Sequence, residues 1–148
     1  VGDLYGVDEG REREIDRLVE LFSMKDFIRE LTESYSHGMK QRLVLASTLL
    51  HKPKVILVDE PLVGLDPHTA RLVKQVFKDQ ARAGTSIFMS THVLSVAEDF
   101  ADRIGIMLGG RLVALGRMDE LRAQSHTEGR LEDVFFKVTE GMEGNPYE

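Results

Sequence analysis

The sequence contains no cysteine, which excludes a disulfide framework and any thiolate metal site and permits a reducing compartment. No apolar run approaches the ~20 residues that a membrane-crossing helix requires, so membrane contact is expected only through a partner. There is no Lys/Arg block, and the formal net charge of −6 argues against a broad nucleic-acid-binding face. Internal repeats and low-complexity tracts are also missing. The chain opens Val1-Gly2-Asp3 without an initiator Met or a basic and apolar leader, a start that reads as the interior of a longer protein. What remains is ordinary for one folded domain: 148 residues, 42% apolar and 30% charged.

Periodicity places the elements. Ile15, Leu18, Val19 and Phe22 follow helical spacing and predict an amphipathic helix from about Glu9 to Phe22. A short helix is expected around Asp26–Leu31, and then a polar loop from Thr32 to Gly38. Met39, Leu43, Ala46 and Leu50 predict a long helix from near His37 to just before Pro53. Asp66-Pro67 is a strong helix start, with Asp as N-cap and Pro at the first helical position, and Gly84 is the expected stop. Ser86–Met89 reads as a buried strand and Val93–Phe100 as a helix. Ile104–Leu108 and Arg111–Leu115 flank Gly109-Gly110 as a hairpin. Helices are expected at Met118–Gln124 and around Leu131–Val138, followed by a frayed tail. Helices alternating with apolar strands predict an α/β fold with a mostly parallel sheet.

The most informative stretch is Val55-Ile56-Leu57-Val58-Asp59-Glu60-Pro61. Four apolar residues predict a strand buried on both faces, and two adjacent acids then fall at its carboxyl end, the edge where open α/β sheets bind ligands. One carboxylate there can hold Mg²⁺ while its neighbour orients or deprotonates a water, an arrangement suited to nucleotide hydrolysis. Ser90-Thr91-His92 is delivered to the same edge by the second strand. A capped helix or solvated loop would also accommodate two acids, so the pair gains its meaning from the motifs around it.

Four segments, in order, resemble the nucleotide-binding domain of ATP-binding cassette proteins. Tyr35-Ser36-His37-Gly38-Met39-Lys40-Gln41-Arg42 is similar to the signature motif, and Val55–Glu60 to the Walker B strand. Gly64-Leu65-Asp66-Pro67 is similar to the D-loop, and Ser90-Thr91-His92 to the switch histidine. The resemblance implies a P-loop NTPase-like sheet with flanking helices, and a subunit that binds and hydrolyses ATP with Mg²⁺. It also implies that Asp59 helps hold the metal, that Glu60 is the general base and that His92 contacts the γ-phosphate. Ser36, His37, Gly38 and Met39 are then expected to contact ATP held by a second nucleotide-binding domain, with Asp66 serving across that interface as well as capping its helix. Lys40, Gln41 and Arg42 are left open between a solvated face and a phosphate contact. His51, His68 and His126 have no metal-ligand spacing. The implied partners are a second cassette and a transmembrane permease, with no nucleic acid, and the implied place is the cytoplasmic face of a membrane.

The signature departs from the commonest Leu-Ser-Gly-Gly-Gln form. Tyr-Ser-His-Gly-Met, together with Leu131-Glu132-Asp133-Val134-Phe135, resembles the branch that powers exporters of drugs and polysaccharides. Nothing in the chain reads Gly-x-x-x-x-Gly-Lys-Ser/Thr, the loop that cradles phosphates. The expectation is therefore a carboxyl-terminal portion of a cassette, without its phosphate-loop strand, inactive alone and of low stability. It divides into a helical signature region (1–52), an α/β core (53–124) and a terminal helix and tail (125–148). Two other readings fit fewer residues: a truncated, non-catalytic cassette that supplies its signature in trans, and a cassette ATPase that acts outside transport.

Overall fold

The computed structural model describes residues 11–140, which form two compact units, one ending at Ser90 and the other beginning at Thr91. The first unit contains α1 (Arg11–Leu21), a 3-10 turn (Thr32–Ser34), α2 (His37–Leu49), β1 (Val55–Asp59), α3 (Pro67–Arg82) and β2 (Ser86–Ser90). The second contains α4 (Leu94–Phe100), β3 (Ile104–Leu108), β4 (Arg111–Gly116), α5 (Met118–Ser125) and α6 (Leu131–Thr139). The architecture is α/β, as the alternation of periodicities requires. The start of the first expected helix at Glu9 and the expected frayed tail lie outside the described residues.

In the first unit β1 and β2 pair in parallel, with Val55 opposite Ser86, Leu57 opposite Phe88 and Asp59 opposite Ser90. The parallel pair needs a crossover, and α3 supplies it. Asp66 caps α3 by accepting from the N–H groups of His68 and Thr69, both at 3.0 Å, and Pro67 takes the first helical position. Val73, Val76 and Phe77 are buried along one side of α3, and the helix contacts β2. Gly84, at φ +95°, ends it in a conformation that glycine adopts without a Cβ penalty.

Two expectations are corrected here. Neither apolar strand is buried as expected: in Val55–Val58 Ile56 is buried while Val55 and Leu57 are 57% and 74% exposed, and in Ser86–Met89 no residue is buried, Phe88 beside Leu57 being 71% exposed. Pleat alternation sends Val55 and Leu57 to one face, which the described residues leave uncovered. The short helix expected at Asp26–Leu31 is a run of turns, bonded Phe27 N–H to Met24 carbonyl and Glu30 N–H to Phe27 carbonyl. Six residues are too few to repay helix nucleation on their own. Tertiary contacts hold the turns instead. Phe27 is buried, meets the Tyr35 ring edge-on at 5.0 Å, and its carbonyl accepts from the Tyr35 hydroxyl at 2.8 Å.

In the second unit β3 and β4 form an antiparallel hairpin with a bulge between Ile106 and Met107. Gly109 and Gly110, at φ +56° and +74°, make the two-residue turn whose twist suits a hairpin. One hairpin face, with Ile104, Ile106 and Ala114, packs against Leu121 of α5 and Leu131 and Val134 of α6. Both helices start with an acid three residues in that reaches back to the chain: Glu120 accepts from Arg117 N–H at 2.7 Å and Asp133 from Arg130 N–H at 2.8 Å. No described helix is long and apolar enough to cross a membrane.

Candidate functional site

The two acids stand at the carboxyl end of β1, where the strand stops and the chain turns sharply. Asp59 is exposed, and its carboxylate accepts the hydroxyl hydrogen of Ser90 at the matching end of β2. Glu60 is half-buried, and its N–H donates to the Ser90 carbonyl at 3.0 Å. Its φ is +44°, in the left-handed region that costs a side-chain-bearing residue free energy, a feature that concentrates at functional sites. Pro61, fully buried, follows at once and anchors the turn.

The signature segment sits at the start of α2. Ser36 is the N-cap, its hydroxyl oxygen accepting from Met39 N–H at 3.3 Å, so the serine and the helix dipole meet at one exposed point. Gly38 and Met39 are half-buried in the first turn. His37 is exposed, but its ring is engaged: Nε2 lies 3.3 Å from the Val63 carbonyl. A carbonyl only accepts, so Nε2 carries the hydrogen in this contact. Gln41, one turn on, donates to the Pro61 carbonyl at 3.3 Å.

Gln41 and Arg42 thus fit neither a solvated face nor a phosphate contact. Arg42 is half-buried, lies 5.2 Å from the centre of the Phe27 ring, and donates to the carbonyls of Phe22 and Ser23 at 3.4 and 3.3 Å. The side-chain fork therefore ties the signature helix to the turn region before it. Asp66 is exposed at the head of α3, and the Thr69 side chain and backbone, with the His68 N–H, hold its carboxyl below the usual carboxylate range.

The first unit therefore brings Asp59 and Glu60 together with Ser90, and joins His37 to the loop that follows the acids. His92 belongs to the second unit, where it is exposed and follows Thr91, whose Oγ1 accepts from Val93 N–H at 3.1 Å. The sequence assigns Ser90 and Gly64 no role of their own, and for Gln41 it leaves open a solvated face or a phosphate contact rather than the bond to Pro61. For Ser90 and Gly64 the only local signal was membership of a motif, and for Gln41 its i, i+4 spacing from His37. Among the described residues no three His, Asp or Glu converge as a metal-ligating group. A hard cation such as Mg²⁺ is nonetheless matched by this edge, because it takes one or two carboxylates and completes its shell from water and substrate phosphates. The exposed Asp59 carboxylate, oriented by Ser90, is such a donor.

Comparison with known proteins defines the class. The fold superposes on a solved structure described as an ATP-binding subunit of an ABC transporter with a TM-score of 0.88 and 29% identity, over 94% of this chain and 59% of that one. The ABC transporter family profile matches residues 5–63. The chain belongs to the ATP-binding proteins of ABC transporters. It is 32% identical to the uncharacterized ABC transporter ATP-binding protein YthP of Bacillus subtilis, over 95% of this chain and 61% of that protein. It is 37% identical to the daunorubicin resistance ATP-binding protein DrrA3 of Streptomyces coeruleorubidus, over 84% of this chain and 40% of that protein. The chain thus spans less than two thirds of the length of these relatives.

Proposed function

We propose that this chain is the part of an exporter-type ABC ATPase that carries the signature motif, the acid pair and the switch histidine. ATP is the substrate. Glu60 takes the proton of the attacking water, and its place directly after the strand, with a backbone fixed by Ser90, limits how far its carboxylate wanders. Asp59 supplies a carboxylate oxygen to Mg²⁺; when bound, that ion neutralises charge on the phosphate oxygens. His92 contacts the γ-phosphate and orients the water through its imidazole.

Ser36, with the first-turn backbone of His37, Gly38 and Met39, binds the γ-phosphate of ATP held by a second nucleotide-binding domain, using the positive end of α2. Asp66 faces the same interface. Movement of the pair is passed to a membrane-spanning permease, which holds the assembly at the cytoplasmic face, and nucleic acid is not a partner. Similarity to a daunorubicin resistance protein supports the export branch.

The observation that carries this reading is the pair Asp59–Glu60 at the carboxyl end of a parallel strand, both held by Ser90. Its test is Mg²⁺-dependent phosphate release. The 148-residue chain alone is expected to release none, since it has no phosphate-cradling loop. Joined to the phosphate-loop portion of a cassette it turns over, and Glu60→Gln lowers kcat by at least about 10²-fold. Turnover by the chain alone, lost in Glu60→Gln, overturns the division of labour; turnover of the joined protein untouched by Glu60→Gln overturns the assignment of the base.

A further inference from the structure

Between the signature helix and the acid pair lies a contact that local sequence does not announce. His37 and Gln41 stand one turn apart on α2 and therefore share a face. Both donate to the segment that follows the acids, His37 to the Val63 carbonyl at 3.3 Å and Gln41 to the Pro61 carbonyl at 3.3 Å. The next residue, Gly64, has φ +73°, and a Cβ built on it would come within 3.0 Å of His37 Cδ2 and 3.2 Å of Nε2. The imidazole is thus laid against bare backbone, which requires a glycine for two separate reasons, torsion and space. Leu65 completes the contact, its Cδ2 lying 3.9 Å from where a Cβ on Gly38 would stand.

The loop held in this way is internally bonded as well. Val63 N–H donates to the Glu60 carbonyl at 3.2 Å and Leu65 N–H to the Leu62 carbonyl at 3.4 Å. A push on the first turn of α2 is therefore delivered through Val63 and Gly64 to the backbone of Glu60, whose left-handed torsion leaves it little freedom to absorb the movement.

We propose that His37, assisted by Gln41, is a positioning residue: its imidazole latches the Pro61–Leu65 loop to the signature helix and so sets Glu60 from within the same protomer. This assignment rests on the reading of Glu60 as the base, and it gives the His37 side chain a role apart from nucleotide contact. If Ser36 and Gly38 serve one nucleotide while Glu60 serves another, the latch makes occupancy at the signature felt at the acid.

Two measurements test it and fail separately. Amide hydrogen exchange of the 148-residue chain reads the latch without any nucleotide. His37→Ala is expected to speed exchange at Val63 and Leu65 by about threefold or more, and His37→Gln, which keeps a donor, to restore it. Gly64→Ala adds less in the His37→Ala background than in the native one, because the torsional strain is common to both and only the ring contact differs. Unchanged exchange in His37→Ala, or strict additivity of the two substitutions, overturns the latch. In the joined cassette, His37→Ala is expected to lower kcat by about tenfold with KM for ATP within about twofold, and His37→Gln to recover kcat. A raised KM at unchanged kcat makes His37 a nucleotide contact and overturns its positioning role. A joined cassette with no turnover sinks the ATPase reading, and the exchange cycle then still decides the latch.

Discussion

Ser90 donates its hydroxyl hydrogen to the Asp59 carboxylate across the ends of two parallel strands. The same residue accepts from Glu60 N–H through its carbonyl at 3.0 Å. One serine therefore orients the side chain of the first acid and the backbone of the second. The two functions are separable, because substitution removes only the hydroxyl.

Ser90→Ala is accordingly expected to lower unfolding free energy by about 1 kcal/mol, the net worth of one exposed charge-assisted hydrogen bond, and Ser90→Thr to restore most of it. Urea denaturation followed by circular dichroism measures both. An alanine variant as stable as the native chain would show that the hydroxyl does not hold Asp59 in solution.

Glu60 offers the opposite trade. Its φ of +44° is tolerated at a cost that glycine does not bear. Glu60→Gly is expected to raise stability by about 1 kcal/mol while removing ATP turnover from the joined cassette, the pattern of a residue kept for chemistry at the expense of folding. A glycine variant that is less stable than the native chain would mean that the Glu60 side chain contributes more to the fold than its backbone costs.

These two residues also mark the limit of what the sequence disclosed. Local chemistry was readable: Asp66-Pro67 announced the start of α3, Gly109-Gly110 the hairpin turn, and the apolar runs both parallel strands. Long-range proximity was not. His37 and Val63 are 26 positions apart, and no local pattern states that an imidazole will rest on Gly64. The left-handed torsion of Glu60 has no compositional mark, since glutamate is not a residue chosen for it. The segment Asp26–Leu31 reads as a helix but folds as turns, because local pattern cannot weigh Tyr35 and Arg42, which reach Phe27 from outside the segment. Burial of Val55 and Leu57 was misjudged for a related reason: an apolar run reports the need for cover, not its presence.

The cap of α3 sets a pH dependence. The Thr69 side chain, then its N–H, and the His68 N–H lower the folded-state pKa of Asp66 below its unfolded value. A depressed carboxylate pKa stabilises the fold above the unfolded pKa of about 3.9, and that contribution is lost as pH falls through the lower folded value. Asp66→Asn keeps a capping oxygen but cannot titrate. Unfolding midpoints recorded between about pH 2.5 and 6 should therefore fall more steeply with acid for the native chain than for Asp66→Asn, with the two curves converging at the acid end. Parallel curves would show that the cap carries no titrating charge.

The uncovered face of the parallel pair sets how the isolated chain behaves. Val55, Leu57 and Phe88 are exposed together because register places Leu57 opposite Phe88 and the pleat puts Val55 on the same side. A contiguous apolar face of this kind drives self-association. Replacing Leu57 and Phe88 by Thr keeps β propensity and withdraws apolar surface. If each association event buries even on the order of 60 Å² of that surface, ~25 cal/mol per Å² gives about 1.5 kcal/mol, or roughly tenfold in the association constant. Sedimentation velocity over a concentration series reads that change. The control is Met107→Thr, on the exposed side of the hairpin in the second unit, where Met107 is 64% exposed. Association that weakens with Met107→Thr and ignores the Leu57 and Phe88 substitutions would move the sticky face from the parallel strands to the hairpin.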